Sequence, residues 1–157
     1  MTDRWKSDYL QSVEECRRHV GCLERSLTLL TFFPLDINSY HQLTEEQIEH
    51  IDQMIYRFMK LQDSMGRKLF PSLFQILEPE KTDIPFLDKL SHLEKISVID
   101  SADDWLEYRV LRNNLAHEYP DREEEMITNL NLLVERLPSF LTIYSGSVQF
   151  ARDRSLL

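Results

Sequence analysis

Arg112, His117 and Tyr119 lie within eight residues of one another, near a predicted helix end. Arginine carries a permanent positive charge, and its planar guanidinium matches pairs of phosphate oxygens. Histidine exchanges a proton near neutral pH because its ordinary pKa is about 6.5. Tyrosine adds a phenolic hydroxyl. Together these side chains indicate chemistry on a phosphate group.

Metal-free cleavage of RNA needs groups of this kind. A base takes the proton of the 2′-hydroxyl, an acid protonates the leaving 5′-oxygen, and cationic donors stabilise the phosphorane. His117 suits either proton-transfer role, and Arg112 suits the phosphate. Asn113 lies four residues before His117 and shares its helix face, so Asn113 is predicted to orient the imidazole or a phosphate.

A single chain supplies one histidine in this segment, although the reaction uses both an acid and a base. A two-fold homodimer with the two segments facing each other would bring two histidines and two arginines into one cleft. It would also concentrate positive charge locally. Dimerisation is therefore expected on mechanistic grounds.

The same segment also has a purely structural interpretation. An arginine five residues before a histidine occurs by chance in many helical proteins. Tyr119 followed by Pro120 would also end a helix, since proline pushes the preceding residue out of helical geometry and the aromatic ring can pack against the helix end. Spacing alone favours the structural interpretation.

Composition sets limits on the class of protein. The 157 residues predict one domain, 1–157, with a net charge of −9 and a pI near 5.0. The charged first twenty residues and the lack of a long apolar run predict a cytoplasmic protein without membrane contact. The acidic balance argues against a broad nucleic-acid-binding face, so RNA contact should be local or aided by a partner.

Two cysteines, Cys16 and Cys22, stand six residues apart in a predicted helix. A rise of about 1.5 Å per residue separates them by roughly 9 Å. Since a disulfide needs Cα atoms within about 7 Å, both are predicted to be free thiols. Neither has zinc-site spacing, and no metal site is predicted.

Apolar residues recur every three or four positions along several segments, which predicts helices. The first spans about residues 3–32. Thr44 and Gln47 form a capping box that starts the second, and Pro71 should end or kink it. A short third helix begins near Phe86.

Ser101 is the predicted N-cap of a fourth helix, about residues 102–118. Asp121 is expected to cap a fifth helix, with Pro138 as a kink and a loose tail after about residue 146. No segment alternates with period two. The prediction is an all-α, up-down bundle of four to five helices.

The segment from Trp105 to Asp121, WLEYRVLRNNLAHEYPD, resembles the motif of HEPN-domain proteins of the HepT type. These are the toxins of toxin and nucleotidyltransferase-antitoxin pairs. Their motif is an arginine, four residues, a histidine, one residue and a tyrosine, which falls on Arg112, His117 and Tyr119. Residues 57–71, RFMKLQDSMGRKLFP, resemble the second helix of the group. The resemblance covers about residues 45–140 and implies a HEPN-like bundle.

The resemblance implies a metal-independent endoribonuclease, the toxin of a type VII-like toxin–antitoxin system, that works as a homodimer with Arg112 and His117 in its active cleft. It further implies that an MNT-type nucleotidyltransferase antitoxin transfers AMP from ATP to Tyr119, so that the chain itself needs no cofactor. AMP would add bulk and negative charge where RNA phosphate should bind, which silences the enzyme. Some relatives are non-catalytic, and a binding subunit that docks a nucleotidyltransferase is the alternative.

Asp63 is a further candidate, on the predicted second helix near its apolar stripe. It could orient Arg112 or His117 across the bundle, as polar groups of the second helix do in some HEPN proteins. A place on a solvated helix face is the alternative interpretation.

Overall fold

The computed structural model describes residues 2–117 and 121–156, and regular structure in these residues is entirely helical. The predicted all-α bundle is confirmed. The elements in chain order are α1 (Thr2–Leu29), α2 (Ile37–His41), α3 (Glu45–Ser64), a π-helical turn (Met65–Leu69), α4 (Phe70–Leu77), α5 (Phe86–Lys95), α6 (Ala102–Ala116) and α7 (Glu123–Asp153). None of the helices in the described part of the chain combines the length and apolarity needed to cross a bilayer.

The first helix packs mainly on the α3–α4 region. Its fully buried apolar side chains recur every seven residues, at Tyr9, Cys16 and Leu23, and Leu30 continues this series directly after the helix. This spacing keeps one face of the helix against its neighbours. The helix ends at Leu29, three residues before the predicted boundary, because the chain turns ahead of Pro34.

Both cysteines are free thiols, as predicted. Cys16 is buried in the core, whereas Cys22 is partly exposed. Burial raises the pKa of the Cys16 thiol to about 12, with a smaller contribution from the Glu15 carboxylate. Cys16 is therefore an inert core residue at neutral pH.

The helices α3 and α4 and the π turn between them form one continuous helical rod. The predicted capping box starts it: the Gln47 amide donates to the Thr44 hydroxyl at 3.1 Å, and the Thr44 amide donates to the Gln47 side chain at 3.0 Å. Pro71 does not end the rod. Because proline lacks an amide hydrogen, the chain meets it with a π turn, and the Ser72 hydroxyl donates to the Lys68 carbonyl at 2.6 Å.

The motif-bearing helix α6 starts as predicted, since the Asp104 amide donates to the Ser101 hydroxyl at 3.1 Å. It ends at Ala116, and His117 follows in extended geometry. The prediction that Asp121 caps the last helix is wrong. That helix begins at Glu123 without a side-chain cap. Three glutamates in its first turn stabilise it instead, because their negative charges lie near the positive end of the helix dipole.

The prediction of a loose tail after about residue 146 is also wrong, because α7 continues to Asp153. Ser147, Val148 and Ala151 are buried, and the Tyr144 hydroxyl donates to the Val13 carbonyl of α1 at 3.3 Å. The segment contains many polar residues, so its sequence did not indicate the buried helix face. The helix also runs through Pro138.

Phe140 of α7 lies at the centre of the core. Its ring centroid lies 4.9 Å from those of Phe58 in α3 and Tyr108 in α6. Trp105 stacks on it at 6.1 Å and contacts Phe70 edge-on at 4.9 Å. These contacts hold α6 against the rod and so determine where the motif is presented.

We predict that Phe140→Ala lowers the free energy of unfolding by about 3–5 kcal/mol, because it removes a buried aromatic ring and leaves a cavity. Leu10→Ala serves as the control, since Leu10 of α1 is 55% exposed and its truncation should cost about 0.5 kcal/mol or less. Equilibrium urea unfolding measures both. Equal losses in the two variants would contradict the central position of Phe140.

Candidate functional site

Arg112 is placed by the buried face of α6. That face comprises Trp105, Tyr108, Leu111 and Leu115. Arg112 follows Leu111 and lies at the edge of this face, next to α3. Its Nη2 donates to the Oδ2 of Asp63 at 3.0 Å, with the two side chains 26% and 32% exposed. The structure therefore joins Arg112 to Asp63 rather than leaving Asp63 on a solvated face.

Asn113 lies on the Arg112 side of the helix end. The Nη1 of Arg112 is 3.5 Å from the Asn113 Oδ1, a long and weak hydrogen bond. The side chain thus contributes to the surroundings of the guanidinium. Its role in orienting a phosphate or the imidazole stays a prediction.

The Nε of Arg112 is buried and has no hydrogen-bond partner among the described residues. A buried donor without a partner costs about 1–3 kcal/mol. An arginine kept only for solubility would not carry this cost, because its head group would lie in water. The packing of α6 and the ion pair with Asp63 therefore keep Arg112 in place despite the free-energy cost of its buried Nε.

A cleft of about 450 Å³ opens beside Arg112, and we refer to it as the Arg112 cleft. Its lining residues come from the rod, α5 and α6: Gln62, Asp63, Gly66, Arg67, Pro71, Phe86, Lys89, Trp105, Arg109, Arg112 and Asn113. Gly66 lets the π turn approach the indole closely, since a Cβ there would lie 3.3 Å from Trp105 Cζ2. The cleft has an aromatic floor and a mainly cationic rim.

His117 lines a different depression, of about 620 Å³, between the end of α6 and the start of α7. Its neighbours there include Asn114, Arg122 and Glu124. Five residues along a helix correspond to a rotation of about 140°, which separates Arg112 from His117. Within one chain the structure groups Arg112, Asn113 and Asp63, and it places His117 apart from them.

Tyr119, the predicted AMP acceptor, lies outside the described residues, so its role stays a prediction. Among residues 2–117 and 121–156, no three histidine, cysteine, aspartate or glutamate side chains are grouped as metal ligands would be.

A third depression, of about 370 Å³, adjoins the Arg112 cleft on the α1 side of the rod. The two share Asp63 and Arg67. Sequence reasoning missed this surface, although Arg57, Lys60 and Arg67 recur at helical spacing and could have indicated a basic face.

Arg57 is oriented there by His19, whose Nδ1 lies 3.1 Å from the Arg57 Nη1. Because guanidinium only donates, the imidazole nitrogen accepts, and the proton of the neutral ring is on Nε2. Burial, and then the charge of Arg57, lowers the pKa of His19, which is consistent with a neutral ring.

Comparisons of the chain with protein-family models, curated proteins and solved structures give no match. The likeness to HepT-type proteins therefore rests on the residues of the motif and of segment 57–71.

We predict that Asp63→Ala lowers the free energy of unfolding by about 1–2 kcal/mol, between the values typical of exposed and buried ion pairs, because Arg112 loses its partner. Asp52→Ala, an exposed change on the same helix, is the control and should cost little. A double-mutant cycle with Arg112→Ala isolates the coupling between the two side chains. Additive effects of the two substitutions would show that the pair is not energetically coupled.

Proposed function

We propose that the chain is a metal-independent endoribonuclease of the HepT type, active as a homodimer and serving as the toxin of a type VII-like toxin–antitoxin pair. The observation that carries this proposal is the Arg112 cleft. An arginine fork is fixed there by Asp63, among the further cations Arg67, Lys89 and Arg109, on the helix that ends directly before His117. This combination fits a phosphate clamp better than a simple helix end.

Arg112 acts as the phosphate clamp. Guanidinium offers five donors, and the contact with Asp63 uses one of them. The remaining Nη hydrogens can donate to the non-bridging oxygens of a phosphodiester. Because Asp63 fixes the fork in advance, little side-chain freedom is lost on binding. The charge of the phosphorane is then stabilised by a group already in place.

His117 carries the protons. In the proposed step, one imidazole accepts the 2′-hydroxyl proton while that oxygen bonds to phosphorus. The bond from phosphorus to the 5′-oxygen breaks, and a second imidazolium protonates the leaving oxygen. The products are a 2′,3′-cyclic phosphate and a 5′-hydroxyl. Two histidines are needed, and the second comes from the partner protomer.

The exposed face of α6 supports a dimer contact at this place. Val110 is 59% exposed and lies on the same face as Asn114 and His117, at spacings of four and seven residues. A two-fold contact through this face would cover the valine and bring two copies of His117 together.

Control of the enzyme falls on Tyr119. An MNT-type nucleotidyltransferase transfers AMP from ATP to the phenolic oxygen, with pyrophosphate as the leaving group, and the chain itself needs no cofactor. Tyr119 is two residues from His117 in sequence. A phosphate attached there competes with RNA phosphate for the same cations and stops cleavage.

One observation favours a second candidate function. In a single chain Arg112 and His117 line separate depressions, and Arg112 already has a carboxylate partner. A non-catalytic subunit that docks a nucleotidyltransferase would tolerate this separation. Such a subunit would present Tyr119 without cleaving RNA.

We predict that the purified chain cleaves single-stranded RNA in the presence of EDTA, and that Arg112→Ala and His117→Ala each slow cleavage by about 100-fold or more. His50→Ala is the matched control, because His50 lies on α3 away from the motif. Product ends and rates are measured by gel analysis. A dimeric wild type without activity would favour the docking subunit, and activity undiminished in both variants would refute the proposed site.

We also predict that co-expression with an MNT-type nucleotidyltransferase adds the mass of AMP to Tyr119 and abolishes cleavage, because the new phosphate occupies the RNA-binding cations. Tyr119→Phe should stay unmodified and active, whereas the exposed control Tyr56→Phe should still be modified. Mass spectrometry of the peptides locates the group. Modification at another residue, or a modified protein that still cleaves RNA, would rule out this regulation.

A further inference from the structure

Positive charge is concentrated on one surface of a chain whose net charge is −9. Five of its 18 lysines and arginines line the depression on the α1 side of the rod, and three further ones line the Arg112 cleft. We refer to the cations of this surface that lack a carboxylate partner among the described residues as the basic strip. They are Arg18, Arg57, Lys60, Arg67, Lys89 and Arg109.

The acidic residues that line this surface, Glu15 and Asp63, are both neutralised. Lys68 donates to Glu15 at 2.9 Å, and Arg112 donates to Asp63 at 3.0 Å. The charge of the basic strip is therefore not cancelled within the surface itself. On an acidic protein such a surface is where a polyanion meets the least repulsion.

The basic strip is continuous because the two depressions share Asp63 and Arg67. Arg57 and Lys60 of α3 and Arg67 of the π turn occupy neighbouring positions on one side of the rod. At about 1.5 Å per residue, residues 57–67 extend over roughly 15 Å. A row of cations of this length suits an extended anionic chain better than a single small anion.

Tyr56 adds an aromatic surface beside the strip and is 51% exposed. The guanidinium of Arg57 lies 5.5 Å from the ring centroid, and the ammonium of Lys60 lies 5.6 Å from it. Exposed aromatic rings among cations are the elements with which proteins bind single-stranded nucleic acids, because bases stack while the backbone is neutralised. An acidic peptide has no bases to stack on the ring.

We propose that the basic strip binds the phosphodiester backbone of single-stranded RNA, with a base stacked on Tyr56, and leads the strand into the Arg112 cleft. Arginine forks supply paired donors to phosphate oxygens along the path. The choice of RNA as the polyanion rests on the proposed function, whereas the site itself rests on the charges and contacts given above.

The test measures binding without cleavage, using His117→Ala protein and fluorescein-labelled poly(U) in anisotropy titrations over a range of salt. The strip variant adds Arg18→Gln, Lys60→Gln and Arg67→Gln, all exposed positions. Its affinity should fall roughly tenfold or more at low salt, and the slope of log K against log salt should decrease by about 2. Separately, Tyr56→Ala should weaken binding roughly tenfold.

The control variant removes the same charge elsewhere, through Lys6→Gln, Lys95→Gln and Arg152→Gln, which are also exposed. It should bind nearly as tightly as the parent, and circular dichroism should show that both variants are folded. Equal losses in the strip and control variants would overturn the proposal. So would an absence of RNA binding by the parent, or equally tight binding of poly-glutamate through the same residues.

Failure of the proposed function would have a different outcome. Wild-type protein that binds RNA through the strip but does not cleave it would refute the ribonuclease and leave the strip in place. Wild-type protein that cleaves RNA, with a strip variant that binds and cleaves equally well, would refute the strip alone.

Discussion

The ion pair between Asp63 and Arg112 connects the motif-bearing helix to the rod on which the rest of the proposed site is built. It joins residues 49 positions apart at 3.0 Å and is only partly exposed. The aromatic contacts of Phe140 bring α6 near the rod, but packing alone does not determine the direction of the long, flexible Arg112 side chain. The Asp63 carboxylate fixes this direction through its hydrogen bond with the guanidinium. It also compensates in part for the buried Nε of Arg112, which has no partner in the described residues.

The π turn before Pro71 follows Asp63 closely in the chain and forms part of the cleft beside the ion pair. A proline in the middle of a helix removes one backbone hydrogen bond, and the chain accommodates the loss by widening the turn rather than ending the helix. Gly66 lies in the widened turn and approaches Trp105, so the aromatic floor of the Arg112 cleft is continuous with the core. Arg67 projects from the same turn into both depressions. One backbone irregularity thus links the cleft to the basic strip.

The sequence predicted the features that depend on neighbouring residues alone, namely helix positions and helix caps. Apolar spacing located the main helices, and the caps at Thr44 and Ser101 were read from residue type alone. Two predictions were wrong: Asp121 does not cap α7, and the polar tail is a helix whose buried side chains depend on tertiary contacts. The sequence predicts an end or a kink at Pro71, and the rod continues there through a π turn. The sequence could propose Asp63 as a partner of the motif. Which motif residue it contacts depends on how α6 is turned toward α3, and the structure shows that this residue is Arg112 rather than His117. Arg57, Lys60 and Arg67 recur along the rod and could have indicated a basic face, but Arg18, Lys89 and Arg109 join the basic strip from helices far apart in sequence.

The central claim is that Arg112 is held in place by Asp63 so as to receive an RNA phosphate. NMR of isotope-labelled arginine side chains in His117→Ala protein tests it most directly, with Asp63→Asn as a comparison. The Nε–H of Arg112 should exchange slowly with solvent because it is buried, and its signal should shift when poly(U) is added. In Asp63→Asn the slow exchange should be lost. Rapid exchange in the parent protein, or an Arg112 signal that RNA leaves unchanged while other arginine signals move, would contradict the account.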